Sequence, residues 1–234
     1  KRARRHSIGK AVAFITKRLN GEDGLGGIFP AMANTVMAFR TLGYADDHPH
    51  YEIARKAIRK LLVERGDEAW CQPCLSPVWD TALAMQALME AGEPTSNASI
   101  EKACTWIRDL QITDVRGDWG SKTPDLAPGG WAFQYRNDFY PDVDDTAVVG
   151  MALYRADSSA NDDALRRAAD WIIGMQSKNG GWGSFDVDNT HYYLNHIPFA
   201  DHGALLDPPT ADVSARCLSF LAQAGCGKDH PPVK

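Results

Sequence analysis

Several features are scarce in this 234-residue chain, and each scarcity excludes a class of protein. Its five cysteines, Cys71, Cys74, Cys104, Cys217 and Cys226, are odd in number and irregular in spacing. They do not form a disulfide framework, and they fit reduced thiols in a cytosolic or cytoplasm-facing protein. Cys71-Gln-Pro-Cys74 is a lone CxxC. No second pair of Cys or His ligands accompanies it, so neither a metal nor a redox role is expected there. No apolar run reaches the roughly 18 residues that span a bilayer. The net charge of −5 leaves no basic footprint for nucleic acid. The only basic run, Lys1, Arg2, Arg4 and Arg5, reads as a solvated helix end, and no apolar secretory stretch follows it. A chain that opens on Lys1 and closes on Lys234 is expected to be part of something longer.

Sustained period-two alternation is also missing, whereas helical periodicity is almost everywhere. Val12, Ile15 and Leu19 share a face, as do Leu83, Ala87 and Leu88, and Val149, Leu153 and Ala156. The periodicity and the Gly- and Pro-rich breaks predict helices near 7–19, 30–42, 49–64, 78–91, 97–112, 143–156, 160–176 and 210–224. The expected class is all-α.

The helices repeat. Every second one starts in the same way, at Pro30…Asn34-Thr35, Pro77…Asp80-Thr81, Pro141…Asp145-Thr146 and Pro209…Asp212. They close near Gly43, Gly92, Asp157 and Gly225. Pro suits a first helical turn, and Asp or Asn satisfies free N–H groups there. The repeat unit is a helix pair of roughly 50 to 65 residues. The other helix of two pairs leads to a glycine-tryptophan element: Trp106 to Gln111 leads to Gly117-Asp-Trp119-Gly120, and Trp171 to Gln176 leads to Gly180-Gly-Trp182-Gly183. Lys17 to Gly27 is a worn third copy. The Gln amide and the indole read as a staple between neighbouring units. Such repeats build a solenoid or a closed α/α barrel. About four pairs are present, so a six-pair α/α barrel, a helix-pair toroid, would be incomplete.

The repeat serves as a control for the acidic cluster Asp142-Val-Asp144-Asp145. Asp145 aligns with Asn34, Asp80 and Asp212 and is expected to act at least partly as a helix cap. Asp142 and Asp144 fall in the spacer, where the other copies carry no acid, and are the carboxylates that the fold does not ask for. Like charges this close cannot all ionise cheaply, and burial raises their pKa further, whereas the helix dipole favours the anion. Such a cluster can keep one carboxyl protonated for use as an acid. A second acidic stretch, Asp186-Val-Asp188-Asn189, reads as an Asx-rich turn.

These residues resemble a known family. Asp142-Val-Asp-Asp-Thr-Ala147 is similar to the DxDD motif of class II terpene cyclases, and the Gln…Gly-x-Trp elements to QW repeats. Gly129-Gly-Trp-Ala-Phe-Gln134, Ser76-Pro-Val-Trp-Asp-Thr81, Gly180-Gly-Trp-Gly-Ser-Phe185, Asn195-His-Ile-Pro-Phe199 and Asp207-Pro-Pro209 resemble squalene-hopene cyclases in particular. The resemblance covers essentially the whole chain. It implies that residues 1–234 form part of a catalytic α/α barrel, with the family's second barrel outside the chain. It implies proton-initiated polycyclisation of squalene to hopene or hopanol in hopanoid biosynthesis, without metal or cofactor. It implies peripheral, monotopic attachment of the parent enzyme to one membrane leaflet, on the cytoplasmic face of a bacterial membrane, and it allows a homodimer.

By the same resemblance, Asp144 is the proton donor, tuned by Asp142 and Asp145. Asp212 and Arg216 support the acid, with Arg216 standing where some members carry His. Trp79, Phe133 and Phe185 line the cavity, Phe185 replacing the Tyr of some members, and Phe199 falls near the channel constriction. The chemistry fits these residue types: an alkene is a very weak base and needs a shielded, preorganised acid, and carbocations are stabilised by aromatic faces. The segment alone is expected to be inactive. Two other readings remain open: a helical-barrel glycosidase pairing Asp144 with Asp80 or Asp188, and a non-catalytic helical-repeat binding module.

Overall fold

Local punctuation sets where the helices begin and end. The computed structural model describes residues 2–198 and 205–233. Among these lie eight α-helices: α1 (Arg2–Arg18), α2 (Phe29–Thr41), α3 (Pro49–Lys60), α4 (Pro77–Glu90), α5 (Ala98–Asp109), α6 (Val143–Asp157), α7 (Asp162–Gly174) and α8 (Ala211–Gln223). The side chains of His48 and Asn97 cap α3 and α5. Gly43, Gly92 and Gly225 follow α2, α4 and α8 at φ of +82°, +95° and +90°. In all three places the next residue's N–H returns to a carbonyl five positions back, Tyr44 to Phe39, Glu93 to Leu88 and Cys226 to Leu221. This closure satisfies carbonyls left free at the helix end and needs the left-handed conformation that glycine supplies.

One stretch departs from the expected all-α pattern. The helix expected to run to residue 64 stops at Lys60 and gives way to an antiparallel hairpin, β1 (Leu62–Arg65) and β2 (Glu68–Cys71). Arg65 pairs with Glu68 across a two-residue turn, with Gly66 at φ +62°. Gly at the first turn position gives the twist that two paired strands require. Neither strand alternates apolar and polar residues, so periodicity alone could not reveal it.

The chain divides into two compact units. The first runs to Pro77 and takes in Gln134–Asn137. Its core is Met32, Ala57 and Leu61 beside Phe39, Tyr51 and Ala54. The 134–137 segment is bound by polar contacts: the Asp23 carboxylate accepts from Arg136 N–H, the Asn20 amide donates to Arg136 O, and the Gln134 amide donates to Gly26 O.

The second unit comprises Val78–Phe133 and the described residues from Asp138 onward. Helix α6 is its centre. Residues on every side of α6 are buried, from Val143 and Val148 to Ala152 and Leu153, whereas α5 and α7 bury one stripe each. The Gln86 amide of α4 donates to Val148 O of α6 at 3.0 Å. On another side α8 packs closely, because Gly150 leaves room for Phe220: a Cβ there would lie 2.4 Å from the ring.

The staples between helix pairs form, but with a different tryptophan. The Trp182 indole donates to Ile172 O at 2.7 Å, and its backbone N–H donates to Ser214 Oγ at 3.0 Å. The counterpart is Trp131, whose indole donates to Ile107 O at 2.8 Å and whose N–H donates to Thr146 Oγ1 at 2.9 Å. Trp119, expected to fill that place from its spacing after Gln111, instead sits in a 3₁₀ turn with its ring edge-on to Trp171. The Gln residues act as expected. The Gln111 amide donates to Gly129 O and Ala164 O, and its oxygen accepts from Arg167; the Gln176 amide donates to Gly180 O. The elements that repeat structurally are Gly129-Gly-Trp131 and Gly180-Gly-Trp182.

Candidate functional site

The staples place the start of α6. Trp131 and Asp142 form an isolated antiparallel bridge, with Asp142 N–H donating to Trp131 O at 2.8 Å. Thr146 ties the two segments together, because its hydroxyl accepts from Trp131 N–H and donates to Asp142 O at 2.6 Å. Val143 N–H, a free donor of the first turn, is satisfied by Ser184 O at 2.8 Å.

In this frame the cap of α6 is Asp142. Its Oδ1 accepts from the N–H groups of Asp144 at 2.7 Å and Asp145 at 3.3 Å. The expectation that Asp145 caps the helix, leaving Asp142 unexplained by the fold, is therefore corrected. The shared latch aligns Thr146 with Ser214, so Asp142 corresponds to Thr210, Asp144 to Asp212 and Asp145 to the buried Val213. The alignment of Asp145 with Asp212 was one residue out. Asp145 is the carboxyl for which the sister helix has an apolar residue.

The three carboxyls have different surroundings. Asp145 is 2% exposed, and its Oδ1 has no hydrogen-bond partner. Burial, then the charges of Asp142 and Asp144, push its pKa far above the usual carboxylate range. Asp142 is also raised, chiefly by burial, but its two N–H donors oppose the shift. Of this pair, Asp142 carries the charge and Asp145 keeps the proton. Asp144 is raised by burial, lowered by Arg216 and raised again by Asp212. Its side chain keeps 18% exposure, the most accessible of the three.

Arg216 joins three groups. Its Nε lies 3.3 Å from Asp144 Oδ1, and its Nη1 lies 3.7 Å from Asp212 Oδ2. The Asp144 contact is an ion pair by distance; Oδ1 has no aligned hydrogen bond. The guanidinium carbon stands 5.7 Å from the centre of the Trp79 ring, and Trp79 is 6.5 Å from the Phe133 ring. Asp144, Arg216, Asp212, Trp79 and Phe133 thus form one chain of contacts. Phe185 is 40% exposed and lies in the segment whose Ser184 O holds α6. Phe199 lies outside the described residues. Asp188 is engaged elsewhere: at φ +53° it accepts from Lys178 N–H at 3.0 Å and pairs with the Lys178 ammonium, a turn role that holds its pKa down.

The buried carboxyl makes stability depend on pH. The neutral form of Asp145 favours folding fully below the unfolded value of about 3.9, and this contribution is lost as pH rises through the raised folded value. Folded stability is expected to fall with rising pH across that window. Asp145→Asn removes the burden of charging, so it is expected to flatten the slope and to be more stable than wild type at alkaline pH. Urea denaturation midpoints at a series of pH values check this, and equal slopes in the two proteins would contradict it.

The sequence model of the squalene-hopene cyclase C-terminal domain matches residues 75–234, and that of the N-terminal domain matches residues 1–67. A squalene-hopene cyclase of Zymomonas mobilis is 57% identical over 245 aligned positions, covering 100% of this chain and 37% of that protein. A squalene-hopene cyclase of Schizosaccharomyces japonicus is 55% identical, covering 96% of this chain and 35% of that protein. The chain therefore spans little more than a third of the length of these relatives.

Proposed function

The chain belongs to the squalene-hopene cyclase family, and we propose that in a full-length protein it carries the acid site for proton-initiated cyclisation of squalene to hopene or hopanol. The observation that supports this most directly is the first turn of α6, where three carboxyls differ in burial and one stands open beside a guanidinium and an aromatic pair. The segment contributes about four helix pairs to an otherwise incomplete α/α barrel.

In this reading Asp144 gives its proton to a terminal alkene carbon. The developing carboxylate is met by Arg216, a fixed cation that needs no reorganisation during the step. Asp142 keeps the turn in place as its cap, and Asp145, buried and protonated, holds its proton without adding a third negative charge. Asp212 holds the other arm of Arg216. Trp79, Phe133 and Phe185 offer π faces to the cation left by protonation, and such contacts are worth about 2 kcal/mol or more when desolvated. Phe199 is proposed at the channel constriction on family resemblance. Squalene is wholly apolar and resides in lipid. The parent enzyme is accordingly proposed to sit on one leaflet of a membrane; among the described residues no helix is long and apolar enough to cross one.

The test is to incubate a full-length enzyme carrying this segment with squalene and to analyse the lipid extract by mass spectrometry. One source of such an enzyme is a chimera in which the segment replaces the matching third of the Zymomonas mobilis relative. Pentacyclic product is expected, with none from the isolated segment, whose acid would be open to water. Absence of any cyclised product from a folded full-length enzyme would sink the reading.

A further inference from the structure

The Gly183–Asp186 segment has no helix or strand to hold it, yet it carries Phe185 and supplies the carbonyl that binds Val143. A single side chain organises it. The Asp207 carboxylate accepts three consecutive backbone N–H groups: Ser184 to Oδ1 at 3.0 Å, Phe185 to Oδ2 at 2.6 Å and Asp186 to Oδ2 at 2.7 Å. Successive N–H groups turned to one side make an anion-binding concavity, and here the anion is part of the protein. Asp207 is itself fixed, because its N–H donates to Asn189 O at 3.2 Å in an isolated antiparallel bridge. The fit leaves no spare room: a Cβ on Gly183 would lie 2.6 Å from Asp207 O and 2.8 Å from its Oδ2.

Two consequences reach the acid turn. Ser184 lies within the clasped segment, and its carbonyl accepts the Val143 N–H at 2.8 Å, so the clasp and the start of α6 are one hydrogen-bonded unit. The Asp207 charge also pushes the pKa of Asp142 upward, against the pull of its two N–H donors. Charged acceptors of this kind make stronger bonds than neutral ones, and an Asn in the same place cannot accept all three.

We propose that Asp207 is a positioning residue that fixes Phe185 against the acid turn and thereby determines how far the cation cascade runs before it is quenched. This rests on the cyclase reading of the same site. When the aromatic face is misplaced, the growing cation loses a proton early and leaves as a partly cyclised hydrocarbon.

The test uses a full-length enzyme carrying this segment, with squalene as substrate and products separated by gas chromatography and mass spectrometry. Asp207→Asn is expected to raise the ratio of partly cyclised to fully cyclised product at least about tenfold, within the hundredfold that a displacement of about 1 Å can cost. Gly183→Ala leaves every polar group present but pushes the carboxylate from its seat, and it is expected to shift the products in the same direction. It decides the matter if Asp207→Asn does not fold. In a Phe185→Ala background, Asp207→Asn is expected to add no further product shift.

A uniform slowing with unchanged product ratio would overturn the inference, as would a full additional shift in the Phe185→Ala background. In those cases the wild-type enzyme would still cyclise squalene and the functional reading would stand. A folded wild-type enzyme that makes no cyclised product removes both.

Discussion

Asp144→Asn, in a full-length enzyme carrying this segment, is expected to lower cyclisation at least about 10⁴-fold, the upper end of what one positioned acid contributes. The amide keeps the shape of the side chain but has no carboxylic proton to give. Asp142 cannot take over, since its oxygen is committed to the N–H groups of Asp144 and Asp145. Asp145 holds a proton but is 2% exposed, among the packed residues of α6. Only Asp144 combines partial burial with access from outside. The cap and the Thr146 latch involve no atom of the Asp144 side chain, so the variant is expected to fold normally. Product formation by mass spectrometry and helical content by circular dichroism test both halves of the expectation. Turnover within about tenfold of wild type would exclude Asp144 as the donor.

Arg216→Gln is expected to cost about 10²-fold in turnover, comparable to removing one preorganised donor from a developing anion. The guanidinium 3.3 Å from Asp144 favours its ionised form. Without it, burial and the Asp212 charge act on Asp144 unopposed, and its pKa rises. A weaker acid protonates an alkene more slowly but keeps its proton to higher pH. The alkaline limb of kcat/KM should therefore move to higher pH as the maximum falls. Arg216→Lys retains the charge while losing the planar fork over Trp79, and is expected to fall between Gln and wild type. A limb that does not move in Arg216→Gln would show that Asp144 does not titrate under the influence of Arg216.

The helices and their closures were legible because they are local. An apolar stripe at helical spacing and a Gly after the last turn act within one segment, and α2, α4 and α8 end in the same way at Gly43, Gly92 and Gly225. The acid cluster was legible too, since three carboxyls in four residues are conspicuous in any context. The hairpin after α3 was not, because Leu62-Val-Glu-Arg65 has no alternation and its main signal is one glycine.

The division of labour among the acids needed the tertiary structure. From spacing alone Asp145 matched Asp212 and took the capping role. The latches Trp131–Thr146 and Trp182–Ser214 move that match by one residue and make Asp142 the cap. The insertion before Gly129 likewise concealed Trp131 as the partner of Trp182. Loop lengths between helices carry no register, so alignment by counting drifts wherever a loop grows, while hydrogen bonds between distant segments restore it. Asp207 was visible in the sequence only as part of Asp-Pro-Pro, because its three acceptor bonds join residues more than 20 positions apart. Composition and periodicity thus sufficed for the helices and for an acidic turn at the head of α6. Which carboxyl caps, which is buried with its proton and which stands open beside Arg216 was decided by long-range packing, because a carboxyl's pKa is set by its neighbours in space.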